Sequence, residues 1–147
     1  MIHPSPIMLI KTSLLLSFLS LSALATAKPL DVFFGTGGRG AEGIYHTTFN
    51  TDNGKFSSVK LAAKINSPGF LTFHPNGKIL YSVGRWEGGT GAVGYQVSGG
   101  ELKEFTRMAC PDGGGCHIAV HPSGKFLLTA QYGGGSVALF PLDSSGK

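Results

Sequence analysis

Short apolar-rich segments alternate with polar, glycine-rich turns along most of this chain. The clearest segments are residues 69–74, 79–84, 92–97 and 101–109, separated by a Pro-Asn-Gly-Lys turn, a glycine-rich stretch and a Ser-Gly-Gly turn. Such segments, bounded by glycine and proline, predict strands that pair in sequence order. The pattern therefore indicates a four-stranded antiparallel sheet over residues 68–110.

The segments repeat with a period of about 47 residues. Residues 71–80 match residues 118–127, 47 positions later, and both stretches contain a His-Pro-x-Gly-Lys turn. A period in the forties with short strands is typical of propeller blades. Residues 31–64 then supply the second, third and outer strands of a first blade, and residues 116–140 the inner, second and third strands of another. We expect an all-β propeller of four-stranded blades, about two and a half of them in this chain.

The predicted blades leave the ring open. The first blade lacks an inner strand and the last lacks an outer one, and exposed strand edges of this kind invite association. Propellers avoid such edges by closing on themselves. We therefore expect residues 28–147 to be the N-terminal part of a β-propeller domain that further C-terminal blades complete. A complete small β protein is the alternative.

The N-terminal residues read as a targeting signal. Lys11 precedes an apolar run of eleven residues, and Ala25-Thr26-Ala27 follows it. This order is typical of a secretory signal peptide, and the run is shorter than the ~20 residues of a membrane helix. We expect residues 1–27 to be a cleaved signal peptide and the protein to be exported, periplasmic or extracellular, with no membrane contact afterwards. An uncleaved anchor is the alternative.

Composition and charge exclude several classes of protein. Glycine accounts for 23 of 147 residues without a Gly-X-Y period, which excludes collagen. Only 14% of residues are charged and 41% are hydrophobic, which argues against disorder. The net charge is +4, but the three arginines, Arg39, Arg85 and Arg107, are far apart. A nucleic-acid surface needs clustered cations, so no nucleic-acid partner is expected.

The sequence is compatible with two arrangements of the two cysteines. Cys110 and Cys116 flank a glycine-rich stretch, residues 111–115. Export would place them in an oxidising compartment, where a disulfide fits, but two packed thiols fit as well. A single C-x5-C pair lacks the ligand spacing of zinc sites, so no metal is expected.

Motifs throughout residues 35–137 resemble the lactonase family. They are Gly35-Thr36, Glu42-Gly43-Ile44-Tyr45, Ser67-Pro68, Leu71, His74-Pro75-Asn76-Gly77-Lys78, Leu80-Tyr81, Gly115-Cys116-His117, Pro122-Ser123-Gly124-Lys125 and Tyr132-Gly133-Gly134-Gly135-Ser136-Val137. The family contains 6-phosphogluconolactonases of the seven-bladed propeller type and related carboxymuconate-cyclising enzymes. The resemblance covers the first third of the family's length. It implies hydrolysis of a six-carbon sugar lactone with no cofactor.

Two departures from the family pattern concern substrate selectivity. Gly84-Arg85 stands where members often carry Asn-Glu, and Gln131 replaces the asparagine of an Ala-Asn-Tyr-Gly-Gly-Gly motif. Both changes are expected in loops, where selectivity resides. Export also conflicts with a phosphorylated substrate, because sugar phosphates are chiefly intracellular. A free aldonolactone and its 6-phosphate therefore both remain candidates.

His117 is the candidate catalytic residue. Its counterpart one period earlier is Phe70, so the repeat does not require an imidazole there. It starts an inner strand beside the predicted central channel, after three glycines that would let a ligand approach the backbone. A histidine at this motif is assigned to catalysis in the resembling cyclising enzymes; a polar residue ending a strand is the structural alternative. His74 and His121 occupy equivalent blade positions, which predicts a structural role.

A lactonase mechanism needs a base and a donor for the oxyanion. We expect His117 to activate water, and Arg85 or a loop amide to be the donor. Gln131 and Tyr132 are expected to bind the substrate, a small sugar lactone, on the same face. Cys116 is not expected to act as a nucleophile, because neighbouring strand residues point to opposite faces.

Two further expectations concern the whole protein. This chain alone is expected to be inactive, because the family places further acidic and basic partners in later blades. The alternative function is a non-catalytic secreted propeller that binds a protein or a glycan through the same face.

Overall fold

The computed structural model describes residues 28–147, and the predicted signal peptide over residues 1–27 lies outside them. Within the described part of the chain no helix is long and apolar enough to cross a membrane. The strands are β1 (Leu30–Gly35), β2 (Gly43–Asn50), β3 (Lys55–Phe56), β4 (Lys60–Lys64), β5 (Leu71–Phe73), β6 (Ile79–Trp86), β7 (Gly89–Ser98), β8 (Glu101–Ala109), β9 (Gly115–Val120), β10 (Phe126–Gln131) and β11 (Ser136–Pro141).

The strands form three antiparallel sheets that follow one another along the chain. The first contains β1 and β2, with β3 and β4 both beside β2; the second has the order β5-β6-β7-β8, and the third β9-β10-β11. Within each sheet the strands pair in sequence order, as in propeller blades, except that β4 pairs with β2 rather than with β3. The predicted all-β propeller architecture is confirmed, and this chain forms one four-stranded blade and parts of two others.

Two local features differ from the expectation. The region 84–91 was expected to be a loop, but β6 and β7 continue through it and pair as far as Trp86 with Gly89. A tight hairpin turn is possible there because Gly88 adopts a φ of 78°, in the left-handed region that glycine tolerates. The outer strand of the first blade is also divided into β3 and β4. The Ser57 side chain interrupts it by accepting the Thr48 amide hydrogen at 3.0 Å.

The core lies between neighbouring blades. One cluster joins Tyr81 and Val83 of the second blade to Ile118 and Leu127 of the third. A second cluster joins Val93 and Tyr95 of the second blade to the first blade, including Ile44. All residues from Ile79 to Gly84 in β6 are buried. Burial on both faces explains why the sequence of this strand does not alternate between apolar and charged residues.

The first and second blades approach each other closely at Gly35, the last residue of β1. A methyl group added to Gly35 would overlap the carbonyl oxygen of Pro68 and press on the Leu71 side chain. Pro68 is itself fully buried, so its backbone has little room to move. Gly37, two residues later, has open space around the same position.

We expect Gly35→Ala to lower the free energy of unfolding by about 1–3 kcal/mol, because the added methyl overpacks the junction between blades. Gly37→Ala is the matched control and should change it by less than about 0.5 kcal/mol. Both are measured by urea unfolding of the protein expressed from the complete open reading frame that contains this chain. Equal effects of the two substitutions would contradict the close approach at Gly35.

Two buried tyrosines make stability depend on alkaline pH. Burial, together with the Asp143 charge, raises the pKa of Tyr81 to about 12. Burial also raises the pKa of Tyr95 to about 12. The Tyr81 hydroxyl donates a hydrogen bond of 2.6 Å to the Gly146 carbonyl. Because the folded state holds these phenol protons more tightly than the unfolded state, their stabilisation is complete below pH ~10 and is lost as pH rises towards ~12.

The free energy of unfolding is therefore expected to fall between about pH 10 and about pH 12. Tyr81→Phe and Tyr95→Phe should each make that fall smaller, since each removes one ionising phenol. The free energy of unfolding is measured by urea unfolding at a series of alkaline pH values. Lysines also titrate in this range, but their contribution cancels when each variant is compared with the wild type. Parallel curves for all three proteins would contradict this assignment.

Candidate functional site

The predicted site residues belong to one end of the sheets. β6 ends at Trp86, β9 begins at Gly115 and β10 ends at Gln131. Because β9 and β10 are antiparallel, the start of one lies beside the end of the other, and Gln131 pairs with Gly115. His117, Arg85 and Tyr132 therefore lie at the same end of the blades. We call this end the site face.

His117 is exposed on the site face and packs against an aromatic ring of the neighbouring blade. Its imidazole lies 5.3 Å from the Phe70 ring, with the two planes at 57°. Phe70 is the residue one repeat earlier, so equivalent positions of adjacent inner strands lie side by side. The repeat thus places an imidazole beside a phenyl ring.

A β-bulge at Cys116 sets the direction of His117. His117 pairs with Ala130 and Gly115 with Gln131, so Cys116 is an extra residue in β9. The Cys116 thiol donates to the Ala130 carbonyl at 3.5 Å. Bulges bend a strand and redirect side chains next to functional sites. Simple alternation therefore does not describe the relation between Cys116 and His117; the thiol is instead directed to the backbone of β10.

Two glycine-rich loops pack against each other beside His117. The Tyr132 amide donates to the Gly114 carbonyl at 2.9 Å, and the Ser136 hydroxyl donates to the Asp112 carboxylate at 2.7 Å. A methyl group on Gly134 would overlap the Asp112 side chain, and one on Gly133 would come within 2.8 Å of the Gly113 carbonyl oxygen. Gly133 and Gly134 thus allow the two loops to come into contact.

We expect Gly134→Ala to lower the free energy of unfolding by about 1–3 kcal/mol, because Asp112 must move and its bond to Ser136 is lost. Gly113→Ala is the matched control in the facing loop, where a methyl group would meet only Thr90, at an ordinary 3.8 Å. The free energy of unfolding of both variants is measured by thermal or urea unfolding. A Gly134→Ala protein as stable as Gly113→Ala would show that the loops are not held together in this way.

His74 and His121 lie at the opposite end of the inner strands. Nδ1 of each ring accepts the amide hydrogen of the residue two positions later, Asn76 or Ser123, at 3.1 Å. Nε2 of His74 also donates to the Gly124 carbonyl of the third blade at 3.0 Å. These contacts support the structural role predicted from the repeat.

Arg85 is exposed and lines a cleft between the first two blades. Its backbone amide donates to the Asn66 carbonyl at 2.9 Å, and its guanidinium extends towards Gly114. The cleft has a volume of about 420 Å³ and is also lined by Lys64, Trp86 and Arg107. Among residues 28–147 Arg85 makes no ion pair. Its guanidinium is therefore available to a ligand.

The second arginine of the cleft is held in place. Arg107 donates to both oxygens of Glu104, at 2.6 and 3.0 Å, and its guanidinium carbon lies 5.3 Å from the centre of the Trp86 ring. The hydrogen bonds to Glu104 raise the pKa of Arg107. The sequence analysis did not single out this cluster, because its members come from different strands.

Gln131 is placed differently from the substrate-binding expectation, and the cysteines adopt one of the two arrangements that the sequence left open. Gln131 is only 3% exposed, and its amide nitrogen donates to Thr129 Oγ1 at 2.6 Å and to Cys110 Sγ at 3.3 Å. Its amide nitrogen is thus hydrogen-bonded inside the protein and is not directed to a substrate. Both Cys110 and Cys116 are free thiols in this structure, so of the two arrangements considered it contains the packed thiols.

Tyr132 lies on the surface of the site face. It is 87% exposed, so its phenol is free to contact a bound molecule. Within the described residues, no group of three or more His, Cys, Asp or Glu side chains could hold a metal ion. His117, Arg85 and Tyr132 offer an imidazole, a guanidinium and a phenol on the site face.

Comparisons with known proteins place this chain in a family. The family model described as "Lactonase, 7-bladed beta-propeller" matches residues 31–147. A 6-phosphogluconolactonase from Bacillus subtilis is 35% identical over 110 residues, which are 74% of this chain and 32% of that protein. A solved structure from Bacteroides fragilis aligns with a TM-score of 0.73 at 26% identity, covering 83% of this chain and 35% of that one.

A further solved structure agrees in fold. The periplasmic gluconolactonase of Pseudomonas aeruginosa aligns with a TM-score of 0.73 at 24% identity, covering 81% of this chain and 36% of that one. The three sheets thus define part of a β-propeller. The chain belongs to the lactonase family of seven-bladed β-propellers, a family of hydrolases, which confirms the resemblance in sequence. It spans about a third of the length of the curated relatives that it matches.

Proposed function

We propose that the protein hydrolyses a six-carbon aldonolactone to the corresponding acid. The observation that carries the proposal is the exposed imidazole of His117 in a chain of the lactonase family. A β-bulge redirects this side chain, and two loops that pack against each other flank it. Fixed surroundings matter because a general base is effective only when it is held within reach of the proton that it removes.

The proposed mechanism uses His117 as a general base. Its imidazole takes a proton from water as the water oxygen attacks the lactone carbonyl, and a tetrahedral intermediate forms. The Arg85 guanidinium or a loop amide donates hydrogen bonds to the oxyanion. When the carbonyl re-forms, the bond to the ring oxygen breaks, and the imidazolium returns its proton to that oxygen. Tyr132 contacts the substrate hydroxyls.

We also propose that the protein is exported, with residues 1–27 as the signal peptide. The support is the order of charged, apolar and small residues in that segment, and the neighbour from Pseudomonas aeruginosa is itself described as periplasmic. Export would bring the enzyme to free aldonolactones, whereas the relative from Bacillus subtilis is named for a phosphorylated one. The substrate test therefore compares the free lactone with its 6-phosphate.

We propose that this chain needs further blades for activity. The chain covers only about a third of the length of the relatives that it matches, and within residues 28–147 only one edge of β1 is paired. Leu30 and Phe34 on β1 are exposed. Additional blades would cover this strand and close the ring around the site face.

His117→Ala is expected to lower the turnover of the aldonolactone by about a hundredfold to ten-thousandfold, as the loss of a positioned base does. His121→Ala is the matched control, in the turn at the other end of β9, and should cost mainly stability, about 1 kcal/mol. Turnover is measured on the complete open reading frame with the free and the phosphorylated lactone, after subtraction of spontaneous hydrolysis and a check that each variant is folded.

Equal, small losses for the two variants would remove His117 from the base role. The absence of any turnover above background in the wild type would instead favour the alternative of a propeller that binds a protein or a glycan without catalysis.

A further inference from the structure

Phe70 is an apolar ring left open at the site face. It is 46% exposed, and one side of it packs against His117 at 5.3 Å. Leaving a phenyl ring exposed to water is unfavourable, because burying such a side chain lowers the free energy. The ring nevertheless lies beside His117, the proposed base.

The backbone that carries Phe70 is held in a defined conformation. The Asn66 carbonyl accepts the Arg85 amide hydrogen at 2.9 Å, and the Phe70 carbonyl accepts that of Val83 at 3.1 Å. Between them, Ser67 has a φ of 56° and is the one non-glycine residue of the described chain with a positive φ. Such conformations persist where the surroundings determine them, and they occur often at ligand sites.

Exposure alone does not single out Phe70. Phe73, three residues later, is exposed to a similar degree, but its ring packs against Phe33 of the first blade at 6.0 Å. Phe70 differs in its neighbours, which are His117 on one side and, through residues 66–70, the backbone of Arg85. It therefore contacts the proposed base and lies on a segment that is hydrogen-bonded to the strand of the proposed oxyanion donor.

We propose that Phe70 is a substrate-contacting residue whose exposed ring packs against the C–H groups of the sugar-lactone ring. The inference rests on the proposed function and extends it to the recognition of the substrate. A closed sugar ring presents apolar C–H groups between its hydroxyls, and aromatic rings are well suited to bind them because the ring face carries partial negative charge. The open-chain acid lacks this rigid surface, so Phe70 favours the closed substrate over the product.

The test separates binding from chemistry with Phe70→Leu and the matched control Phe73→Leu. KM and kcat are measured for glucono-1,5-lactone, and the dissociation constant of the corresponding lactam, a cyclic analogue with an amide in place of the ester, is measured by calorimetry. Phe70→Leu should raise KM and the lactam dissociation constant about threefold to tenfold, the usual range for a lost aromatic contact. Its kcat and all constants of Phe73→Leu should stay within about twofold.

Phe70→Tyr serves as the rescue variant. It keeps the aromatic face and should restore both binding constants to within about twofold of the wild type. Weak binding in this variant would overturn the proposal, because the ring would be present without its effect. The same holds if Phe70→Leu and Phe73→Leu behave alike.

A fall in kcat with unchanged KM and lactam binding would also overturn it, since Phe70 would then only position His117. Lactam binding that depends on Phe70 in a protein without turnover would refute the lactonase activity while keeping the contact. A wild type that neither turns over the lactone nor binds the lactam would overturn both.

Discussion

Burial of both faces of the second blade is the constraint on which the rest of the structure depends. Alternate residues of β6 face opposite neighbours, so Tyr81 and Val83 pack towards the third blade while Leu80 and Ser82 are buried on the side of the first. Burying a large apolar side chain contributes about 1.5–3 kcal/mol, so a blade without one neighbour would lose several such contributions. The blades must therefore stack in sequence.

Stacking of equivalent blades also accounts for the site. It brings the same repeat position of adjacent inner strands together, which is why Phe70 and His117 are in contact. Where the repeat is kept, as at His74 and His121, the side chains hold turns. Where it is broken at Phe70 and His117, and again at Arg85 and Tyr132, the differing residues lie exposed at the site face. In this propeller the candidate chemistry thus arises at the positions that differ between blades.

Close backbone approach holds these exposed residues in place. The loops that contain Gly114 and Tyr132 are joined by a backbone hydrogen bond, and the Asp112–Ser136 bond adds a second connection. Each approach depends on glycine, because a methyl group would separate the chains. A strand bulge directs His117 next to them. The site therefore has a fixed framework although most of it is built on loops, and fixed geometry is what orients a reactant for attack.

The sequence by itself determined the class of fold, the order of the strands and the blade boundaries, and it singled out His117 as the candidate base. These features follow from local turn signals and from a repeat, and both are readable along one chain. Only the tertiary structure decided which side chains are covered. Gln131 stands at the end of a strand beside an exposed tyrosine, yet its amide turns inwards to Thr129 and Cys110. Asp112 and Ser136 meet across 24 residues, and Arg107 meets Trp86 between two strands. The physical reason is that alternation and turns are set by neighbours in sequence, whereas burial and side-chain contacts are set by the blade that packs alongside.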